Sequence, residues 1–412
     1  MRSEFPNVVI TGVAMTSALA TDAEGTWAAL IDGRSGIGSL TAPFVNELEM
    51  PVRIGGQLLE DFDGELTRVE LRRLSYLQKI ALVLSRRAWL DTGSPEMDST
   101  RLAVTMGTGF GNGEEVILAY VDMRKRGLRA VSPLAVQMFM PNGPAAAVGL
   151  DRAARGGVSA PMLGDASGAG AIAQAWQQIV FGDADVVICG GVEFPIEGVP
   201  IAAYAQIDGV LSADNDDPAG ACRPFDRDRT GMVFGEGGAV LIMETEAHAT
   251  ARGARILARV LGAATTSDGY DAMLSDPDAE REAFAITRAI ELAGLAPEDI
   301  DVVNAHAAGT VDGDRVEATA LQKAFGDHRP AIYAPKAALG NTFGAAGAVE
   351  AVLTVLSMRD GVVPPTLNLN QLDEGVDLDV VTGRARRADY RYAVNNTFAF
   401  GGHNVAIAFG KY

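Results

Sequence analysis

Cysteine is nearly absent: Cys189 and Cys222 are the two that 412 residues contain. Two cannot build a disulfide scaffold, and their separation is not metal-ligand spacing, so each reads as a small buried apolar residue. Positive charge is also scarce. Lysine and arginine number 34 against 53 acidic residues, a net charge of −19. Phosphate backbones would repel such a chain, and no counterion release would reward binding, which excludes nucleic acid as the expected partner. Long apolar runs are missing too. None approaches the ~18 residues that span a bilayer, and the opening MRSEFPNVVITG lacks the charged start, apolar core and cleavage site of an export signal. A cytoplasmic protein, not integral to a membrane, is expected.

What is present suits a large folded chain. At 48% hydrophobic and 21% charged residues, disorder is excluded. Gly at 47 residues outnumbers Pro at 18, which fits the many tight strand-to-helix turns of an α/β protein. The length exceeds that at which a single core stops growing, so one or two substantial domains are predicted. Short β-branched runs (VVIT at 8–11, LAVTMGTG from Leu102, ADVVICGG from Ala184) alternate with longer Ala-rich stretches, the pattern of βαβ units. A second series follows: ILARVLGAA after Arg255, DIDVVNAHAAGT from Asp299, and YRYAVNNTFAFGGHNVAIAF from Tyr390. Two comparable halves, 1–250 and 251–412, are expected, fused into one compact unit because no low-complexity linker separates them. Residues 211–238, rich in Asp, Asn and Gly, read as a long ordered loop, a place where function often resides.

Four segments carry a resemblance: RPFDRDRTGMVFGEGGAVLIME, VNAHAAGT, PKAALGNTFGAAGAVEA and NNTFAFGGHN. They follow the order found in β-ketoacyl-carrier-protein synthases. The chain resembles that family over essentially its whole length, and most closely the KasA and KasB type of mycolic-acid elongation. The resemblance implies an α/β, thiolase-like fold: two similar halves with stacked mixed five-stranded sheets in an αβαβα layering. It also implies a homodimer, an acyl carrier protein as partner, and no bound cofactor, the phosphopantetheine being carried by the acyl carrier protein substrate.

In that family the acyl-accepting cysteine opens a buried helix in a pattern similar to A-C-A-S-G, where the helix N-terminus stabilises the thiolate. The matching run here is Gly164, Asp165, Ala166, Ser167, Gly168. A carboxylate at that place would form a mixed anhydride that water attacks readily, so condensation is not expected. Asp is also a favoured helix N-cap, and a capping role for Asp165 stands beside a functional one. The family's first histidine is matched by His306, whereas His248 and His328 read as ordinary surface or core residues. The second is matched by Asn341, after Lys336 and Gly340. Related condensing enzymes resemble this His and Asn arrangement. Loss of CO2 from a malonyl thioester builds charge on the thioester oxygen, and an imidazole N–H with an amide N–H2 can supply the two donors it needs.

Lys336 and Glu350 resemble a buried ion pair bracing the site, and Asp314 and Glu317 follow the HAAGT turn; all four suit architecture as well as chemistry. Phe398 and Phe400 resemble an aromatic gate, with core packing as the alternative. Three departures accompany Asp165, one being that DASGAGAIAQAW lacks the larger residues the resemblance implies after that position. Ala308 stands where the resemblance implies a threonine contacting the phosphopantetheine arm, leaving Thr310, and Ala399 stands where it implies a glycine whose freedom a hinge would use. Arg72, Arg73 and Lys79 are the expected carrier-protein docking cluster. Arg124, Lys125, Arg126 and Arg129 form a second cluster, and either can equally be a solvated face. The expected activity is decarboxylation of malonyl-carrier protein to acetyl-carrier protein without condensation. The alternative is a non-catalytic, chain-length-factor-like subunit that pairs with an active ketosynthase. No metal site is expected.

Overall fold

A computed structural model describes residues 5–412. Ten strands run in one hydrogen-bonded path, and the path has an internal repeat. From its centre outward, Val8–Thr16 pairs antiparallel with Gly237–Thr245, which pairs antiparallel with Val186–Glu193; Leu102–Gly107 and Val158–Ser159 then add in parallel. On the other side Ala258–Ser267 pairs antiparallel with His403–Lys411, then Tyr392–Ala399, and Val302–Asn304 and Ala331–Tyr333 add in parallel. Both halves repeat the sequence antiparallel, antiparallel, parallel, parallel. They meet edge to edge in a short ladder, Val8↔Val260, Val9↔Arg259 and Ile10↔Ala258.

Two helices fill the layer between the halves. Ser167–Val180 and Ala346–Asp360 each pack on strands of both. In the second, every residue from Ala346 to Met358 is buried, as expected of a helix that is apolar on all faces. The outer layers are Tyr76–Asp91 and Gly143–Asp151 over the first half, and Glu280–Ala293 and Val311–Phe325 over the second. This is the thiolase-like fold, with the helices and strands in five alternating layers.

The strands form where the β-branched runs predict them. Val186–Glu193 is buried at every position, which explains why it reads as a continuous apolar run instead of an alternating one. Truncating Leu353, fully buried between the sheets, to alanine would cost roughly 2–5 kcal/mol. Among the described residues no helix is long and apolar enough to cross a membrane.

Candidate active site

A cavity of about 90 Å³ opens between the halves. Asp165, Met232, His306, Asn341 and Phe398 lie along it, and the exposed Asp208, Leu274 and Asp312 surround its mouth.

Asp165 enters it from the start of the inner helix. Gly164, at φ 58, turns the chain, and Ser167 locks that turn by donating to the Gly164 carbonyl at 2.6 Å and accepting from the Leu163 amide at 2.8 Å. The helix begins at Ser167 with Ala166 at the cap position and no side-chain cap. The capping role considered for Asp165 is therefore not the one it plays. Its Oδ1 accepts from Asn341 Nδ2 at 2.6 Å, while Oδ2 is buried without a partner. Burial pushes the carboxyl up to about 6, against the Asn341 hydrogen bond and the charge of Lys336.

Asn341 follows Gly340, whose φ of 76 ends the short helix Lys336–Leu339. Its backbone joins the 211–238 loop, donating to the Val233 carbonyl at 2.7 Å and accepting from the Gly235 amide at 2.8 Å. Its Oδ1 accepts from the Phe343 amide at 3.1 Å, which orients the side chain. One N–H is thereby committed to Asp165, and the other faces the Met232 sulfur at 3.3 Å, a weak acceptor that an oxygen would displace.

His306 follows the strand Val302–Asn304. Lys336 Nζ lies 3.3 Å from its Nδ1 and donates to its carbonyl at 2.6 Å. Burial, reinforced by the Lys336 charge, holds the imidazole well below its usual range. The ring is neutral near pH 7, and with Nδ1 accepting from Lys336 the proton sits on Nε2. Lys336 also donates to Glu350, and both are about 2% exposed. Glu350 is the only charged residue of the otherwise apolar helix Ala346–Asp360 apart from its final turn.

The turn after His306 is held from below. Glu317 accepts from the His306 amide at 2.8 Å and the Ala307 amide at 2.6 Å. Asp314 accepts from the Gly309 amide at 3.0 Å and the Phe225 amide at 2.8 Å. Both carboxyls serve backbone groups that would otherwise be buried unpaired, and burial raises both, Asp314 to about 6 and Glu317 to about 7. The same turn places Ala308 and Thr310 on the cavity wall.

Phe398 is 5% exposed, with its ring centre 6.3 Å from that of His306. Ala399 pairs with His403 as the last residue of its strand, so the left-handed backbone falls to Gly401 and Gly402, at φ 82 and 71. An alanine is therefore accommodated at 399 without strain. Phe400, in the turn, packs on Tyr204 at 5.6 Å.

Cys189 and Cys222 are both buried, and neither lines the cavity. Burial pushes the Cys222 thiol up to about 12 and the Cys189 thiol higher still, so neither offers a thiolate to this site. Arg72 and Arg73 end the helix Arg68–Arg73 and are exposed, while Lys79 is tied to Asp63 at 3.0 Å. In the second cluster Arg126 pairs with Asp122. Among the described residues no cluster of His, Cys, Asp or Glu is arranged to hold a metal ion. Sequence reasoning missed Met232 and Glu282 on the cavity wall; neither carries a motif of its own.

Residues 6–249 match the family described as beta-ketoacyl synthase, N-terminal domain, and residues 257–370 match its C-terminal domain. Over 408 residues the chain is 64% identical to the 3-oxoacyl-[acyl-carrier-protein] synthase 2 of Mycobacterium tuberculosis (strain CDC 1551 / Oshkosh), covering 99% of this chain and 98% of that protein. A solved beta-ketoacyl synthase from Burkholderia phymatum superposes with a TM-score of 0.91 at 32% identity, over 99% of this chain and 100% of that one. A structure titled the ishigamide ketosynthase/chain length factor also reaches 0.91, at 28% identity and the same coverage.

Proposed function

Because the chain belongs to the β-ketoacyl synthase family, we propose that it acts on carrier-protein thioesters of fatty acid synthesis, in the mycolic-acid branch, as a malonyl-carrier-protein decarboxylase. On this reading Asp165 occupies the place of the family's acyl-accepting cysteine, and the product is acetyl-carrier protein. The observation that carries it is the neutral imidazole of His306, its proton directed to Nε2 by Lys336, beside an oriented Asn341 amide.

The chemistry balances without an enzyme nucleophile. The bond between Cα and the malonyl carboxylate breaks, CO2 leaves, and the electron pair delocalises onto the thioester oxygen. His306 Nε2–H and the Asn341 N–H now facing Met232 stabilise that oxyanion. A proton then closes the carbanion as a methyl group. Asp165 supplies it when protonated and recovers one from solvent. An ionised Asp165 about 4 Å from the malonyl carboxylate would repel it by roughly 4 kcal/mol at an effective dielectric of 20. Its upward-shifted carboxyl supports the protonated form once the anionic substrate is bound.

The test is release of CO2 and appearance of acetyl-carrier protein from purified protein and malonyl-carrier protein, with the His306→Ala variant as control. A rate in the parent no higher than in that variant would sink the reading.

A homodimer in the cytoplasm completes the proposal. The helix Gly113–Arg126 has no buried residue and exposes Val116, Ile117, Leu118 and Tyr120, an apolar surface that suits a partner chain. The likeness to a ketosynthase/chain length factor structure supports a second reading, a subunit paired with an active ketosynthase. Native mass measurement after co-expression with a cysteine-bearing synthase separates the two.

A further inference from the structure

Among the described residues Glu282 is the one buried titratable group lining the cavity that neither the motifs nor the decarboxylation chemistry uses. It lies in the first turn of the helix Glu280–Ala293, where an acidic residue ordinarily faces solvent beside the helix N-terminus. Its neighbour Glu280 does so and pairs with Lys323. Glu282 turns the other way: it is 1% exposed, lines the cavity shared with His306 and Asp165, and has Oε2 buried without a hydrogen-bond partner. No cation stands against it, and the charged groups around it are Glu317, Asp268 and Asp276. Burial, reinforced by Glu317 and Asp268, raises its carboxyl well above the ordinary range, against a contact with Ser275. When protonated it has an O–H to donate, and Oε2 has no partner among the described residues.

Its position narrows the acceptor. Ser275 and Leu274 near the exposed mouth line the same cavity, and Asp165 lies at the buried end. A thioester reaching Asp165 would occupy the cavity that Glu282 also lines. In the same cavity Ala308 offers a methyl group and no hydroxyl. An arm carrying amides would lose its water there, and a protonated Glu282 is a donor on the cavity wall besides the Thr310 hydroxyl.

We propose that Glu282 is a substrate-binding residue whose carboxyl donates a hydrogen bond to an amide carbonyl of the pantetheine arm. This rests on the reading that the substrate is a carrier-borne thioester, and does not require that the thioester be decarboxylated.

The test uses the full chain and free pantetheine, measured by calorimetry with the parent, Glu282→Gln and Glu282→Leu. The Leu variant fills similar space with no donor, and its affinity is expected to fall about tenfold. The Gln variant keeps an N–H donor and is expected within about threefold of the parent. With malonyl-pantetheine, KM follows the same order while kcat is unchanged. A measurement on the ligand needs no variant: the labelled amide carbonyl of pantetheine should move downfield on binding the parent protein. Equal affinity in the parent and the Leu variant, an unshifted carbonyl, or no binding of pantetheine would each overturn the proposal. Glu282-dependent binding without CO2 release would instead uphold it while removing the decarboxylase reading.

Discussion

Asn341 gives one amide hydrogen to Oδ1 of Asp165 at 2.6 Å, leaving Oδ2 of the same carboxyl buried and unpartnered. The two residues thus form a half-satisfied pair. Its stability depends on whether Oδ2 carries a proton, and the Asn341 hydrogen bond compensates only part of the cost of burying the charge.

The pair should be visible in the pH dependence of stability. The Asp165 carboxyl is raised from an ordinary 3.8 to about 6 by burial. Between those values the folded state holds the proton more tightly than the unfolded chain, so stability falls as pH rises through the window. Asp165→Asn removes the titration. Relative to that variant, the parent should lose about 3 kcal/mol between pH 3 and pH 7 and then level off. Denaturant unfolding of both proteins across that range checks this, and parallel profiles would refute it.

Lys336 and Glu350 should show the asymmetry of a buried ion pair. Lys336→Met leaves Glu350 inside an apolar helix without its partner and should destabilise the protein by about 3–5 kcal/mol. The double variant Lys336→Met with Glu350→Leu should recover most of that loss. Equilibrium unfolding of the parent, the single and the double variant measures it.

Asp165→Cys alone should not restore full condensation. A thiol at 165 would gain a helix N-terminus, and acylation by acyl-carrier protein should be detectable by intact mass. The Asn341 amide would lose its present acceptor, and Ala308 would still lack a hydroxyl for the arm. Elongation of the acylated variant by malonyl-carrier protein is the measurement. Elongation equal to that of a cysteine-bearing family member would make Asp165 the sole lesion.

Docking should depend on Arg72 and Arg73 more than on Lys79, which is already paired with Asp63. Reversing both charges, Arg72→Glu with Arg73→Glu, should raise KM for malonyl-carrier protein and leave malonyl-pantetheine unaffected. The difference should shrink as salt rises. Kinetics at two ionic strengths with both substrates decide it; equal effects on both substrates would place the cluster elsewhere in function.

Much of the site was legible because its residues sit in contiguous motifs. His306, Lys336, Asn341 and Asp165 come together from three separated segments, and a family resemblance supplies the long-range contacts that local pattern cannot. The inner helix was readable for a different reason, since AGAVEAVLTVL is apolar on every face. Asp165 was harder. An Asp just before a helix has the local appearance of a cap, and only the start of the helix at Ser167 and the reach of Asn341 decide otherwise. Glu282 was not legible at all, because EREAF has the acidic first turn of countless surface helices and nothing local says which carboxyl points inward. The halves were visible as two series of strands. The ladder joining them was not, because strand pairing between Val8–Ile10 and Ala258–Val260 leaves no mark in composition or periodicity.

Lys336 has one more consequence. Its nitrogen is directed at three protein acceptors, His306 Nδ1, the His306 carbonyl and Glu350, and the side chain is 2% exposed. An ammonium has three N–H groups, so three acceptors leave it none uncommitted and no lone pair to meet a carbonyl. An unpaired amine beside an acyl-binding pocket would invite self-acylation or imine formation; this one is committed to its neighbours. On the proposed reading, an activated acyl group in the cavity would meet no free amine at Lys336.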